Sequence, residues 1–294
     1  MAFKICCDAG HNWSGVDTGA SGNGLREQDI TFFIANKLAK RLREYGIEVI
    51  ETRPTLETNL GYDLNSSLQA RCDIANKAKA DYFISIHTNS ASNSSANGTE
   101  TLVYALGGKA EQLAKSIQTN LVNTLKTSDR GVKVQNVKVL RSTNMPAVLI
   151  ETAFISNPND ANILANRQGD IIEAITKGIC EFLGINYKSQ QVDYIPSIED
   201  CTQEFLWKGI ISNNDYWNWK AYADSNIAWL LKKAYIYIMK NGGSVKNPTG
   251  RDFNYCLNVL NHWGIISNVD LWRQKANQDT DVFWLITKIA DFIG

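Results

Sequence analysis

The chain is predicted to be an α/β protein, a mostly parallel sheet with helices on both faces, followed by a small all-α domain of two repeats. Three observations predict it. Short β-prone runs alternate with helical periodicity as far as residue 185. Runs such as Tyr82–Ile86 are short, apolar and β-branched, as strands covered on both faces must be. Beyond the alternating region, a stretch of sequence returns at an offset of 55 residues.

The first strand is Phe3-Lys-Ile-Cys-Cys7, ended by the small, permissive turn Asp8-Ala9-Gly10. A Gly-rich loop from Gly15 to Gly24 leads to Glu27 and an amphipathic helix carrying Ile30, Phe33, Ile34, Leu38 and Leu42, stopped by Gly46. Ile47 to Thr52 is predicted as a strand, Leu68 to Ala80 as a helix, and Tyr82 to Ile86 as the strand that runs into His87. Gly98 to Tyr104 reads as a strand, Lys109 to Leu125 as a helix and Val137 to Leu140 as a short strand. Ala147-Val-Leu-Ile150 is the last apolar strand and ends in Glu151. The closing helix, Asp170 to Leu183, places Ile171, Ile175, Ile179 and Phe182 on one face before Gly184.

Composition narrows the function classes. The 294 residues are 44% hydrophobic and 20% charged, ordinary for a globular chain long enough for two domains. Thirty basic and thirty acidic side chains cancel, so no net field draws the protein to nucleic acid or anionic lipid. No run is long enough to span a membrane. The start lacks the basic and apolar regions of a secretory signal, so synthesis in the cytoplasm without a signal peptide is expected. Six scattered cysteines read as buried thiols, not a disulfide framework. Cys6 and Cys7 point to opposite faces of their strand and so cannot chelate one ion together.

Of the three histidines, His11 and His87 each sit just past a predicted strand, and Glu27 and Glu151 hold comparable edge positions. A histidine at a strand end is usually a satisfied polar residue, but in an open α/β sheet ligands gather outside the carboxyl ends of the strands. Together the four residues look like a zinc hydrolase site. Two histidines with one glutamate form a well-attested zinc set that leaves a position for water. Glu151, at the end of a buried strand, suits a proton shuttle between that water and a leaving amine.

These residues fall in segments that carry a family resemblance. Asp8-Ala-Gly-His11, Val16-Asp-Thr-Gly-Ala20, Arg26-Glu27, Ser67-Leu-Gln-Ala-Arg71, Ser85-Ile-His-Thr-Asn89 and Pro146-Ala-Val-Leu-Ile-Glu-Thr-Ala-Phe-Ile-Ser-Asn157 resemble, in order and spacing, the type 3 zinc-dependent N-acetylmuramoyl-L-alanine amidases. The resemblance covers residues 1–185 and implies an α/β sheet sandwiched by helices. It implies His11, Glu27 and His87 as ligands of one zinc ion and Glu151 as the catalytic acid/base. The implied reaction is hydrolysis of the amide between the lactyl group of N-acetylmuramic acid and the L-alanine of the peptidoglycan stem. Asn89 is a candidate for orienting the ligand loop or the substrate. The chain departs from the family's frequent Pro-Gly-His-Gly-Gly at Ala9-Gly10-His11-Asn12-Trp13, and Trp13 is a candidate to stack on a sugar ring.

Residues 186–196 read as a linker and residues 197–294 as a helical tandem-repeat domain. Gly209-Ile-Ile-Ser-Asn-Asn-Asp-Tyr-Trp217 recurs as Gly264-Ile-Ile-Ser-Asn-Val-Asp-Leu-Trp272, and the offset persists to Lys233 and Lys288. Each unit is predicted to be a helix, a short helix capped by Asp215 or Asp270 that carries a tryptophan, and a longer helix from Ala228 or Phe283. Trp217 with Trp272 and Trp229 with Trp284 are expected to form two small cores, while Trp207, Trp219 or Trp263 are candidates for saccharide stacking. His262, without a partner histidine, reads as structural.

The sequence therefore points to a peptidoglycan amidase with a wall-targeting tail, a phage-type endolysin acting at the cell wall after lysis or non-classical release. An autolysin is the alternative, as is a non-catalytic wall-binding protein with a vestigial zinc site. Retention of His11, Glu27, His87 and Glu151 together argues against the last.

Overall fold

The computed structural model describes residues 3–189, 198–243 and 253–293. The chain divides into two compact units, Met1–Gln190 and Gln191–Gly294. Most of the linker read over residues 186–196 lies outside the described residues.

The first unit is built on a six-stranded sheet. Its strands are β1 (Lys4–Ala9), β4 (Glu48–Glu51), β5 (Tyr82–Asn89), β6 (Thr99–Val103), β7 (Asp129–Val134) and β8 (Ala147–Phe154), in the order β4-β1-β5-β8-β6-β7. Every pairing is parallel except β6 with β8. A small hairpin, β2 (Ser21–Gly22) and β3 (Leu25–Arg26), rises from the Gly-rich loop. The helices are α1 (Glu27–Arg43), α2 (Leu64–Ala78), α3 (Lys109–Leu125), α4 (Lys138–Arg141), α5 (Pro158–Asn166) and α6 (Gln168–Leu183).

Alternation along the strands sends side chains to both faces. Cys6, Phe83, Leu102 and Leu149 form one core cluster with Cys72 and Ala75 of α2 and Val139 and Leu140 of α4. On the other face α1, α3 and α6 pack together, and Thr101 donates to Gln118 of α3 at 2.9 Å. Both faces being covered explains why the central strands are apolar almost throughout. All six cysteines are buried and free, as read from their spacing.

Several boundaries differ from the sequence reading. Asp8 and Ala9 continue β1 instead of turning, because Asp8 is fully buried and paired. His87 and Glu151 lie inside β5 and β8, not past their ends. Residues 137–140 are not a strand: α4 forms there, and its buried Val139 and Leu140 fill the cluster over α2, a contact that four residues of pattern cannot announce. Strand β7 escaped notice because an edge strand reading Asp-Arg-Gly-Val-Lys-Val has no buried face to show. Helix α5 is opened by the Asn157 side chain, which accepts from the Asn159 and Asp160 amides, with Pro158 in the first turn.

The second unit contains α7 (Ile198–Trp207), α8 (Asn214–Ala223), α9 (Ser225–Asn241), α10 (Phe253–His262), α11 (Val269–Gln278) and α12 (Thr280–Ile293). Its buried residues form one cluster spanning both repeats, so the expected pair of small cores is a single shared one. Together, two copies of three short helices enclose an apolar cluster that a single copy would leave partly open. The expected caps shift by two residues. Asn213 and Asn268 cap α8 and α11 through the Tyr216 and Leu271 amides, which places Asp270 in the first turn of α11, where a carboxylate is favoured by the helix dipole. Trp217 and Trp272 are buried, but Trp229 and Trp284 are each 36% exposed and lie at the rim of the core. No helix among the described residues is long and apolar enough to cross a membrane.

Candidate metal centre

Strand β1 has neighbours on both sides, β4 and β5, and the chain leaves its carboxyl end toward the crevice where a doubly wound sheet gathers ligands. Three residues meet there. His11 follows β1, Glu27 is the first residue of α1, and His87 is near the end of β5. One nitrogen from each histidine and one oxygen of Glu27 lie within 4.8 Å of one another. His11 Nε2 is 3.2 Å and His87 Nδ1 3.3 Å from the same Glu27 Oε1.

The loop is shaped to allow this. His11 adopts φ 66°, a left-handed conformation that costs a non-glycine residue on the order of 1 kcal/mol and is retained where surroundings impose it. Those surroundings are polar and rigid. Arg71 donates to the carbonyls of Ala9 and His11, each at 2.6 Å, and to Asp8 Oδ1 at 2.7 Å. Asp8 also accepts from Thr52 and Ser85, both at 2.6 Å. Asn12 ties the loop to the Val16 and Leu60 carbonyls. Burial alone raises the Asp8 carboxyl, but Arg71, Ser85 and Thr52 outweigh it and hold Asp8 below the usual carboxylate range. Small residues complete the cradle: a Cβ on Gly10 would stand 2.4 Å from His87 Nε2, and one on Gly19 would stand 2.7 Å from His11 Cδ2.

Each donor is oriented from behind. His11 Nδ1 lies 2.9 Å from Asp17 Oδ1, and Asp17 Oδ2 accepts from Ser67 at 2.8 Å. This leaves Nε2 facing the centre, the arrangement by which a carboxylate fixes a ligating imidazole. Glu27 Oε2 accepts from the Ala20 amide and Oε1 from the Thr88 amide, each at 2.9 Å. Burial disfavours charge on His11, yet Asp17 and Glu27 overcome it and push its pKa up to about 9. Burial also raises Glu27, and contacts with His11 and His87 outweigh it, holding the carboxyl well below its usual range. The centre attracts positive charge.

Glu151 stands beside this group. It is the register partner of His87 across β5 and β8, strands about 4.8 Å apart. Immediately beyond, the register shifts between His87 and Asn89, an irregularity of the kind that re-aims side chains next to sites. Glu151 Oε2 is shut off from solvent with no hydrogen-bond partner. Burial pushes its pKa up to about 7, with Glu27 and Glu100 adding to the effect and His87 and His11 opposing it.

The donor set fits a zinc ion. A tetrahedral ion with bonds of about 2.0–2.1 Å holds its ligand atoms roughly 3.3 Å apart, close to both donor separations here. Two imidazole nitrogens and a carboxylate oxygen make three ligands, one fewer than a tetrahedral zinc ion takes.

The remaining sequence candidates sit elsewhere. Asn89 donates to Glu100 Oε1 at 3.0 Å and accepts from the Ser90 amide, so it organises the strand end and does not join the donor trio. Trp13 is half-buried, with the Arg26 guanidinium 4.7 Å above its ring. Sequence reasoning gave no role to Asp8, Asp17, Ser67 or Arg71, although all four lie in the segments that carried the resemblance. The available signal was chemical, since a ligating histidine needs an acceptor on its second nitrogen. Glu100 was missed too; it receives Arg130 at 2.7 Å and Lys133 at 2.6 Å from the edge strand β7.

Known proteins resemble this chain in sequence and fold. The family described as N-acetylmuramoyl-L-alanine amidase matches residues 5–181. The Bacillus subtilis N-acetylmuramoyl-L-alanine amidase LytC is 39% identical over 162 residues, 54% of this chain and 31% of its own length. The endolysin of Bacillus phage SPP1 is 32% identical over 239 residues, covering 74% of this chain and 83% of that protein. Among solved structures, the N-acetylmuramoyl-L-alanine amidase from Clostridium difficile 630 superposes with a TM-score of 0.57 at 31% identity, over 65% of this chain and 99% of that one.

Proposed function

The chain belongs to the N-acetylmuramoyl-L-alanine amidase family, and we propose that it hydrolyses peptidoglycan at a zinc centre held by His11, Glu27 and His87 with Glu151 as acid/base. The observation that carries this reading is the convergence of His11 Nε2 and His87 Nδ1 on Glu27 Oε1, beside the partnerless Oε2 of Glu151. The scissile bond is the amide joining N-acetylmuramic acid to the L-alanine of the stem. Zinc, when bound, would supply Lewis acidity toward the scissile carbonyl and the attacking water.

The protein's own residues do the rest. Asp17 holds the His11 ring with Nε2 inward, and the Ala20 and Thr88 amides fix both oxygens of Glu27. Glu151 takes a proton from the attacking water as the water oxygen bonds the carbonyl carbon and returns it to the departing alanine nitrogen. The C–N bond thus breaks to a carboxylic acid and an amine, which exchange the remaining proton to become carboxylate and ammonium. A carboxyl near neutrality can perform both transfers, and burial provides that tuning here.

We assign residues 1–185 to catalysis and 197–294 to wall targeting, joined by the linker at 186–196. Two linked weak sites on a repetitive polymer gain avidity through effective concentration. The phage-endolysin reading draws support from the SPP1 endolysin, whose alignment covers more of the chain than the family match. Digestion of purified peptidoglycan tests the reaction. Free L-alanine amines on released stems, without new reducing sugars, are expected; D-amino acid amines or released acetate would assign the same atoms to a peptidase or deacetylase. Deleting the chain after Tyr187 is expected to weaken pelleting with walls.

A further inference from the structure

The second unit is assembled from two copies whose contacts are reciprocal. Trp217 of the first stacks on Trp284 of the second with centroids 6.1 Å apart, and Trp272 of the second stacks on Trp229 of the first at 6.4 Å. Lys220 pairs with Asp279, and 55 positions on Lys275 pairs with Asp224. Lys208 lies over the Phe292 ring, while its counterpart Trp263 lies against Tyr237, the counterpart of Phe292. Lys233 and Lys288 each stand 5.7 Å from the ring centre of Trp229 and Trp284. Contacts that map onto themselves when the copies exchange make an isologous interface within one chain. These residues hold the fold, and the half-exposed Trp229 and Trp284 belong to it.

The copies diverge at one surface. In the first, Glu204 and Lys208 are buried and lie 3.4 Å apart. Their counterparts are Val259 and Trp263, and Trp263 is 46% exposed. Around them a cavity of about 370 Å³ is lined by Tyr255, Asn258, Val259, His262, Trp263 and Ile293. That volume is at the small end for ligand pockets. The His262 ring, exposed, meets Trp263 edge-on at 4.6 Å. Among the described residues the lining contains no carboxylate, ammonium or guanidinium, so these residues offer nothing to pair with a phosphate-rich polymer or an acidic peptide. It offers ring faces, one amide and one imidazole, the chemistry that suits a neutral ring bearing hydroxyl and acetamido groups.

We propose that this groove binds an N-acetylhexosamine unit of the peptidoglycan glycan strand, with Trp263 and Tyr255 as stacking faces and Asn258 and His262 as hydrogen-bonding groups. The proposal rests on the wall-targeting reading and, in place of two equivalent sites, locates a single one in the second copy. Where the first copy holds the buried Glu204–Lys208 pair, the second has Val259 and Trp263, and the groove lies there. His262, expected from its isolation to be structural, becomes a ligand group.

The test uses the full chain carrying Glu151→Gln, so that sacculi stay intact, and peptidoglycan stripped of secondary polymers. Sedimentation binding and a fluorescence titration with chitotetraose are read for Trp263→Ala, Tyr255→Ala and Trp263→Phe. Both alanine variants are expected to lose about tenfold in apparent affinity and Trp263→Phe to retain most of it, as expected where one stacking face is removed. Tyr255→Ala guards against misfolding, since Trp263 also packs on Tyr237. Trp219→Ala, 65% exposed and away from the groove lining, is expected to change nothing. Binding to stripped sacculi that is indifferent to both alanine variants overturns the groove while leaving wall targeting in place. No binding of the parent to intact walls overturns the targeting reading itself. Binding to intact but not stripped walls overturns the choice of the glycan strand.

Discussion

The catalytic unit and the repeat unit bury polar groups in opposite ways. Around the metal centre one guanidinium, Arg71, serves Asp8 and the carbonyls of Ala9 and His11 at once. In the repeat unit several interface contacts have a counterpart 55 residues away, as with Lys220–Asp279 and Lys275–Asp224. An asymmetric network concentrates geometry and makes every member indispensable, whereas a duplicated one spreads the load.

The sharpest test of that contrast is Glu151→Gln. The amide cannot take up a proton, so turnover is expected to fall by at least about a thousandfold, within the range for losing acid–base catalysis, while metal content by elemental analysis is unchanged. An active variant would remove the proton-shuttle assignment. Next is Arg71→Met, which strands the buried Asp8 carboxylate. Breaking such a pair costs about 3–5 kcal/mol, to be read from the urea midpoint of the catalytic unit. A cost no larger than that of a surface pair would erase the distinction between the units.

Asp17→Asn changes one atom behind His11. Loss of the orienting carboxylate is expected to weaken zinc affinity about 10–100-fold in a competition titration, with secondary structure retained. Unchanged affinity would show that the loop alone sets the ring.

The smallest effects belong to the repeat unit. Lys220→Met and Lys275→Met are each expected to cost about 1 kcal/mol or less, because their partners are partly solvated. Lys220 should cost more, since it meets both Asp279 and Asp281 where Lys275 meets Asp224. Acid sharpens the comparison. Burial raises the Asp224 carboxyl, but Lys275 and Asn226 outweigh it, and Lys220 with Tyr216 holds Asp281 down as well. Folded values below unfolded ones mean that stability is present above the ordinary carboxylate pKa and lost as pH falls through the folded values. Thermal unfolding of the repeat unit is expected to drop in that window, and less so in the lysine variants.

Much of this was legible in the chain. Strand and helix alternation gave the layered fold, because apolar runs and 3.6-residue stripes report burial on two faces or one. Ordered segments gave His11, Glu27, His87 and Glu151, and the 55-residue offset gave the duplication. What escaped was short or lacked a pattern: α4 is one turn, β7 is a polar edge, and the caps Asn213 and Asn268 differ from their aspartate neighbours only in register.

Sequence by itself determined which residue types were present to bind a cation, where most of the longer strands and helices fall, and that the tail is two copies of one unit. Tertiary structure decided which atoms face one another. Asp17 meets His11 only because the loop turns back on itself, and Arg71 reaches Asp8 across 63 residues of chain. It also decided that the two repeats share one core, and that the surface where they differ is an open groove. Periodicity records how a residue sits relative to its own element, and contacts between elements distant in sequence leave no period to read.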